Sequence, residues 1–188
     1  NDDYTSIINE KHYDRLQGLL SDAKEKGADI DEINPANEDF SQQEAFKIPP
    51  TLVMNPTDDM EIMKEEIFGP LLPILTIENI DQAISDLKLL PKPLAIYLFG
   101  GGENEQGKVL SMTSSGGVCF NDVVLQAGIP ELPFGGVGTS GMGKYHGKAG
   151  FDNFTHYKSV LKRPFWLDLN FRYPPYKLDL SLLNKLIG

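Results

Sequence analysis

Leu71-Leu72-Pro73-Ile74-Leu75-Thr76-Ile77, with the chain that follows it to Phe120, is the stretch that decides the fold. Residues 71–77 form a short apolar run. Asn79 then caps a helix whose Ile80, Ala83, Ile84 and Leu87 fall on one face, and Pro91 and Pro93 end it. Residues 94–99 form a second apolar run, closed by Gly100-Gly101-Gly102. A second helix is expected over residues 103–112, and after Ser114-Ser115 residues 116–120 read as a third strand. Strand, helix, strand, helix, strand, with apolar residues on both faces of the strands, predicts a parallel sheet covered on both sides and right-handed crossovers. The expected class is therefore α/β, a three-layer sandwich on a parallel sheet.

The flanks extend this pattern. Asn9 is a helix cap before Leu16, Leu19, Leu20 and Ala23, which recur at helical spacing until Gly27 stops them. Residues 28–47 are polar without period and read as a loop or hairpin. Residues 48–54 read as a strand opened by Pro49-Pro50, and Asp58 or Asp59 can cap a short helix over residues 60–65. Beyond Asn121 the chain is glycine-rich as far as Gly150. Residues 157–162 then alternate as a strand that Arg163-Pro164 ends, and a tail from Phe165 carries aromatics, Pro174-Pro175 and leucines up to Ile187.

Composition narrows the function classes. The 188 residues are 40% hydrophobic and 23% charged, which suits one globular core with a tail and not a disordered chain. A formal net charge of -10 argues against a phosphate-backbone partner, so no nucleic acid is expected. The single cysteine, Cys119, excludes a disulfide framework and suits a reducing cytoplasm. Prolines and charges interrupt every apolar run before it reaches membrane-spanning length. No signal peptide is seen, and the opening Asn1-Asp2-Asp3 reads as a piece of something longer.

Several motifs suggest chemistry that their context denies. Gly136-Val137-Gly138-Thr139-Ser140-Gly141 spells a dinucleotide fingerprint, but Pro130-Glu131-Leu132-Pro133 precedes it where a buried strand is needed, and Asp152 follows too soon. Gly138 to Lys144 lacks the hydroxyl of a phosphate loop, since Tyr145 stands in its place. A tight glycine turn packed against another segment is the better reading. Cys119 lies inside an apolar run, where a thiol behaves as a small hydrophobe. His12, His146 and His156 have no metal-ligand spacing. The paired acids Glu65-Glu66 are adjacent, so on a helix they would not face each other.

Glu65-Glu66-Ile67-Phe68-Gly69-Pro70 resembles a block of the aldehyde dehydrogenase superfamily. Further blocks agree in order: Lys92-Pro93-Leu94-Ala95, Ser114-Ser115-Gly116-Gly117-Val118, Asn121-Asp122, Pro133-Phe134-Gly135-Gly136-Val137-Gly138, Ser140-Gly141-Met142-Gly143 and Tyr145-His146-Gly147-Lys148. The last two forms, with Phe151 and the Arg163-Pro164 ending, are similar to the class-3 and coniferyl aldehyde dehydrogenase branch, and the likeness runs from about Ser6 to Pro164. It implies oxidation of an aldehyde to an acid with NAD or NADP, through a cysteine thiolate, hydride transfer and water activated by a glutamate.

By the same resemblance, Glu66 matches the acid that binds the nicotinamide ribose, since a carboxylate can accept from two vicinal hydroxyls. Phe68 matches the aromatic beside the nicotinamide, and Phe134 and Asn121, with residues 121–129, match a wall of the aldehyde site. The family's Gly-Gln-x-Cys-type nucleophile motif does not occur in this sequence, and Cys119 aligns with the Ser-Ser-Gly-Gly-Val block instead. No catalytic residue is therefore assigned: the nucleophile and the general-base glutamate are expected upstream, with the cofactor-binding domain. The expected organisation is residues 1–155 as the C-terminal part of an incomplete catalytic domain, 156–164 as an oligomerisation strand and 165–188 as a tail. Residues 157–162, from Tyr157 to Lys162, would pair with a partner subunit in a homodimer or homo-oligomer. The fragment alone is expected to be inactive. The alternatives are a natural truncated paralogue acting as an assembly module and, for residues 178–187, a peripheral membrane anchor, which the acidic and polar interruptions disfavour.

Overall fold

The computed structural model describes residues 3–40, 45–168, 172–176, 181 and 184–185. These fall into two compact units. The first comprises residues up to Lys92 together with Gly101–Ser114; the second comprises Pro93–Gly100 and the chain from Ser115 onward.

The first unit is organised by α1, Glu10–Glu25. Asn9 stays extended, and its side chain accepts from the His12 N–H at 3.0 Å, satisfying a donor that the helix start leaves free. Gly27, at φ +90°, turns the chain out of the helix, and the Ala28 N–H closes on Ala23 O at 2.9 Å. Leu16, Leu19 and Ala23 share the buried face and meet Ile48, Val53, Met60, Ile62 and Leu71. Burying each large aliphatic side chain there contributes about 1.5–3 kcal/mol.

Beneath α1 lies a sheet of order β1-β2-β3, formed by Asp29–Glu32, Thr51–Met54 and Leu71–Ile74. β2 and β3 run parallel, Thr51 opposite Leu71 and Met54 opposite Ile74. β3 is an edge of this sheet, which is why it tolerates Pro73 without an N–H to donate. β1 pairs antiparallel with β2 and answers the choice between loop and hairpin for residues 28–47 in favour of a pairing. Its Asp-Ile-Asp-Glu sequence carries almost no strand pattern, because only Ile30 is turned inward and the ladder is supplied by β2.

Asn79 caps α2, Ile80–Leu89, by accepting from the Gln82 N–H at 3.0 Å. α2 and α3, Glu103–Met112, each bury one residue completely, Ile84 and Val109. Lys108 joins them to one another through both oxygens of Asp81 at 2.8 Å.

In the second unit β4, Ala95–Leu98, runs parallel to β5, Gly117–Phe120, with Ala95 opposite Gly117 and Leu98 opposite Phe120. The α/β class and the parallel pairing expected from residues 71–120 are present, but the strands form two ladders instead of one: β3 belongs to the first sheet, β4 and β5 to the second. An apolar run announces a strand without naming its neighbour. Two short helices follow, α4 at Leu125–Gly128 and α5 at Gly147–Asn153. Residues 155–164 join no ladder within the described residues, and Val160 and Leu161 lie open at 80% and 94% exposure. Of the leucine-rich end considered as an anchor, all but Ser181, Asn184 and Lys185 lies outside the described residues. Among the described residues no helix is long and apolar enough to cross a membrane.

One surface carboxylate ties α1 to the 3₁₀ turn at Glu61–Met63. Asp22 pairs with Lys26 at 2.7 Å and accepts from the Glu61 N–H at 2.8 Å. The hydrogen bond from Lys26, then that from the Glu61 backbone, holds its carboxyl below the usual carboxylate range. A group lowered in this way contributes stability above its unfolded pKa and loses that contribution as pH falls through the folded value. Asp22→Asn is expected to be less stable than the parent at neutral pH, with the gap closing from about pH 4 downward. Urea midpoints measured across that range test this; a gap independent of pH would remove the ion pair from the account.

Candidate functional site

Three consecutive residues of the block at 65–70 converge on one side chain of α1. Arg15 Nη1 donates to Glu65 Oε1 at 2.6 Å and to Glu66 O at 3.2 Å, while Nη2 donates to Ile67 O at 2.5 Å. Ile67 packs against the core, and Gly69 is pressed onto Leu16, the next residue of α1: a Cβ there would meet Leu16 Cδ1 at 2.6 Å and Cδ2 at 2.7 Å. Between these anchors Phe68 adopts φ +47°, a region that a bulky residue seldom occupies, and its ring is 80% exposed. Glu66 is exposed beside it, and its carboxylate has no hydrogen-bond partner among the described residues. Both face a cleft of about 700 Å³ whose walls include Ile7, Ile8, His12 and Arg15.

An exposed phenylalanine in a left-handed backbone is unfavourable twice over, in strain and in hydration. An acid with free lone pairs beside a flat apolar ring can hold a polyhydroxylated ligand that carries an aromatic group. The sequence pointed to Glu66 and Phe68, and the structure brings them to one cleft. It gave no sign of Arg15, whose acceptors lie some fifty residues away along the chain. A second cleft, lined by Gln17, Leu20, Ser21, Lys24, Ile30 and Glu32 among others, mixes polar and aliphatic side chains and presents no comparable turn.

The remaining site candidates lie in the second unit. Asn121, at φ +58°, closes the end of the β4–β5 ladder: its N–H donates to Leu98 O at 2.9 Å and its Oδ1 accepts from the Gly100 N–H at 2.7 Å. Phe134 and Tyr145 exchange both backbone hydrogen bonds, at 3.0 and 2.8 Å, and their rings meet edge to face at 5.7 Å. His146 stacks on Phe134 and meets Tyr145 edge to face, and its Nδ1 lies 3.1 Å from Leu132 O. Phe134 is thus a half-buried ring held by two neighbours.

The same region settles the glycine motifs. Gly116, Gly135 and Gly136 bring backbone against backbone: a Cβ on Gly136 would overlap Ser140 O and lie 2.5 Å from Gly141 N. Lys144 donates to Gly116 O at 2.9 Å, and the turn leads into a 3₁₀ helix at Gly138–Ser140, not the long helix of a phosphate loop. The fingerprint letters therefore encode close packing. Cys119 is half-buried in β5 opposite Tyr97. Among the described residues no three acids, histidines or cysteines group as a metal site.

The first unit thus presents an acid and an exposed aromatic side chain, Glu66 and Phe68, over one cleft. The chain belongs to the aldehyde dehydrogenase family, whose model matches residues 1–160. It is 50% identical over 179 residues to a probable coniferyl aldehyde dehydrogenase of Caulobacter vibrioides, covering 94% of this chain and 37% of that protein. A 4,4'-diaponeurosporen-aldehyde dehydrogenase of Staphylococcus aureus is 45% identical over 175 residues, covering 93% and 36%. Among solved structures, the substrate-bound state of Staphylococcus aureus AldH superposes with a TM-score of 0.79 at 42% identity, over 97% of this chain and 38% of that one. An NAD-dependent aldehyde dehydrogenase of Sinorhizobium meliloti gives 0.70 at 27% identity, over 86% and 32%. The chain spans 37% of the Caulobacter relative and a similar share of the other.

Proposed function

We propose that this chain is the downstream part of the catalytic domain of an NAD(P)-dependent aldehyde dehydrogenase, which oxidises an aldehyde to a carboxylic acid. The observation that carries the reading is the turn at Glu66 and Phe68, an unpartnered acid and a strained, exposed ring over one cleft. NAD or NADP, when bound, would supply the hydride acceptor for the oxidation. The chain's own residues bind and orient. Glu66 would hold the nicotinamide ribose, since a carboxylate can accept from two vicinal hydroxyls, and Phe68 would support the nicotinamide with a flat face that does not compete for hydrogen bonds. Phe134, fixed by Tyr145 and His146, walls the aldehyde site, and Asn121 sets the end of β5 from which residues 121–129 depart. The nucleophilic cysteine and general-base glutamate come from sequence outside this chain. The likeness to proteins named for coniferyl aldehyde points to that aldehyde or another aromatic one, with an aliphatic aldehyde as the alternative, and the single thiol suits the cytoplasm.

The test has two arms. Incubated with coniferyl aldehyde and NAD or NADP, the 188-residue chain is expected to give no reduced cofactor. The complete protein that carries it is expected to turn over. Turnover by the chain alone would overturn the placement of the nucleophile, and an inactive complete protein would overturn the assigned reaction.

A second reading, a truncated paralogue serving in assembly, draws on the exposed apolar side chains of Tyr157, Val160 and Leu161. An unladdered segment of this kind can add to a partner's sheet and so make a homodimer or homo-oligomer. The reading frame upstream of Asn1 separates the two: continuous coding sequence with a Gly-Gln-x-Cys motif supports the enzyme, and a start codon near Asn1 supports the module.

A further inference from the structure

The doubled acid of the block divides its work. Glu65 is bound to Arg15, whereas the Glu66 carboxylate beside it has no partner among the described residues. We infer that Arg15 is the positioning residue of the cofactor turn: by holding Glu65, Glu66 O and Ile67 O together it sets the direction in which Glu66 and Phe68 face the cleft. This rests on the reading of Glu66 and Phe68 as the cofactor contacts.

The geometry is specific to a guanidinium. Its two nitrogens reach a side chain and two successive carbonyls, so the peptide planes entering Phe68 are fixed from α1. The plane leaving Phe68 is fixed by the same helix, since Gly69 rests on Leu16. Phe68 is therefore clamped on both sides by consecutive residues of one helix, which accounts for its holding φ +47° with an exposed ring. A lysine carries the charge on a single nitrogen and cannot hold three acceptors in one plane. Among the described residues all three hydrogen bonds of Arg15 go to residues 65–67, so its function is to present its neighbours.

The experiment is calorimetric titration of NAD and of NADP into the complete protein and its variants, with thermal midpoints recorded in parallel. Arg15→Gln is expected to weaken binding of the preferred cofactor about tenfold, as loss of charge-assisted hydrogen bonds predicts, and to raise the cofactor KM more than it lowers kcat. Arg15→Lys is expected to recover part of that affinity, and Glu65→Gln to fall between Arg15→Lys and the parent. Glu66→Gln, the direct contact, should weaken binding with an unchanged thermal midpoint. A lower midpoint with parental affinity in every Arg15 variant would reduce Arg15 to a stabilising role and overturn the inference. Weakened binding in Arg15→Gln with none in Glu66→Gln would keep the positioning role and remove Glu66 from the ribose. Parental affinity in both would overturn inference and reading together. If Arg15→Gln does not fold, Arg15→Lys and Glu65→Gln decide the matter, because each retains part of the network.

Discussion

Gly116→Ala is expected to destabilise the second unit by about 3 kcal/mol, at the upper end of what overpacking costs. The added Cβ would overlap Gly135 O and lie 2.5 Å from Leu94 O and 3.0 Å from Gly136 Cα, so backbone from two separate segments blocks it. Side chains can swing aside, but these carbonyls cannot. Leu94 O accepts from the Gly117 N–H at 3.0 Å and sets the register of the β4–β5 ladder, while Gly116 O holds Lys144. Relief of the clash must break one of these. Gly18 and Gly107 provide the contrast, since a Cβ on either meets nothing within 4 Å and both lie inside helices. Alanine at those positions is expected to stabilise by about 0.5–1 kcal/mol. Denaturation midpoints of the three variants give the comparison, and a neutral Gly116→Ala would show that the two segments part easily.

This contrast also shows where the sequence was legible. Capping residues act within a few positions, so Asn9 and Asn79 could be read directly, and the ends of α3 coincide with those expected. The glycine turn was legible in kind, as packing instead of phosphate binding, although nothing in its letters says that Gly116 is its counterpart. Strand partners were not legible. β1 is acidic and owes its conformation to β2, and the division into two ladders depends on contacts that periodicity does not encode. At the site the family block gave Glu66 and Phe68, but an arginine beside Leu16 on an amphipathic helix reads as a solvated flank. Its role appears only when the chain brings residues 65–67 back to it.

The contact between Leu16 and Gly69 predicts a coupling between core and site. Leu16→Ala alone removes a side chain with no exposed surface and is expected to cost about 2–5 kcal/mol. Gly69→Ala alone drives a methyl to within 2.6 Å of Leu16 Cδ1, and because Leu16 is enclosed by the core it cannot rotate away; a cost of about 1–3 kcal/mol follows. Gly69 is not among the residues with positive φ, so its requirement for glycine comes from this contact and not from backbone conformation. The two substitutions together should therefore cost less than their sum by about 1 kcal/mol or more, because the methyl enters the space that the leucine vacates. The coupling has a functional side as well. Gly69→Ala moves the exit of the Phe68 turn, so cofactor affinity in the complete protein should fall with it and return in part in the double variant. Strictly additive stabilities would separate Leu16 from the turn. Additive stabilities with unaltered cofactor affinity would place the control of Phe68 in Arg15 alone, leaving the charge-assisted bonds from α1, and not the packing beneath them, as the link from helix to site.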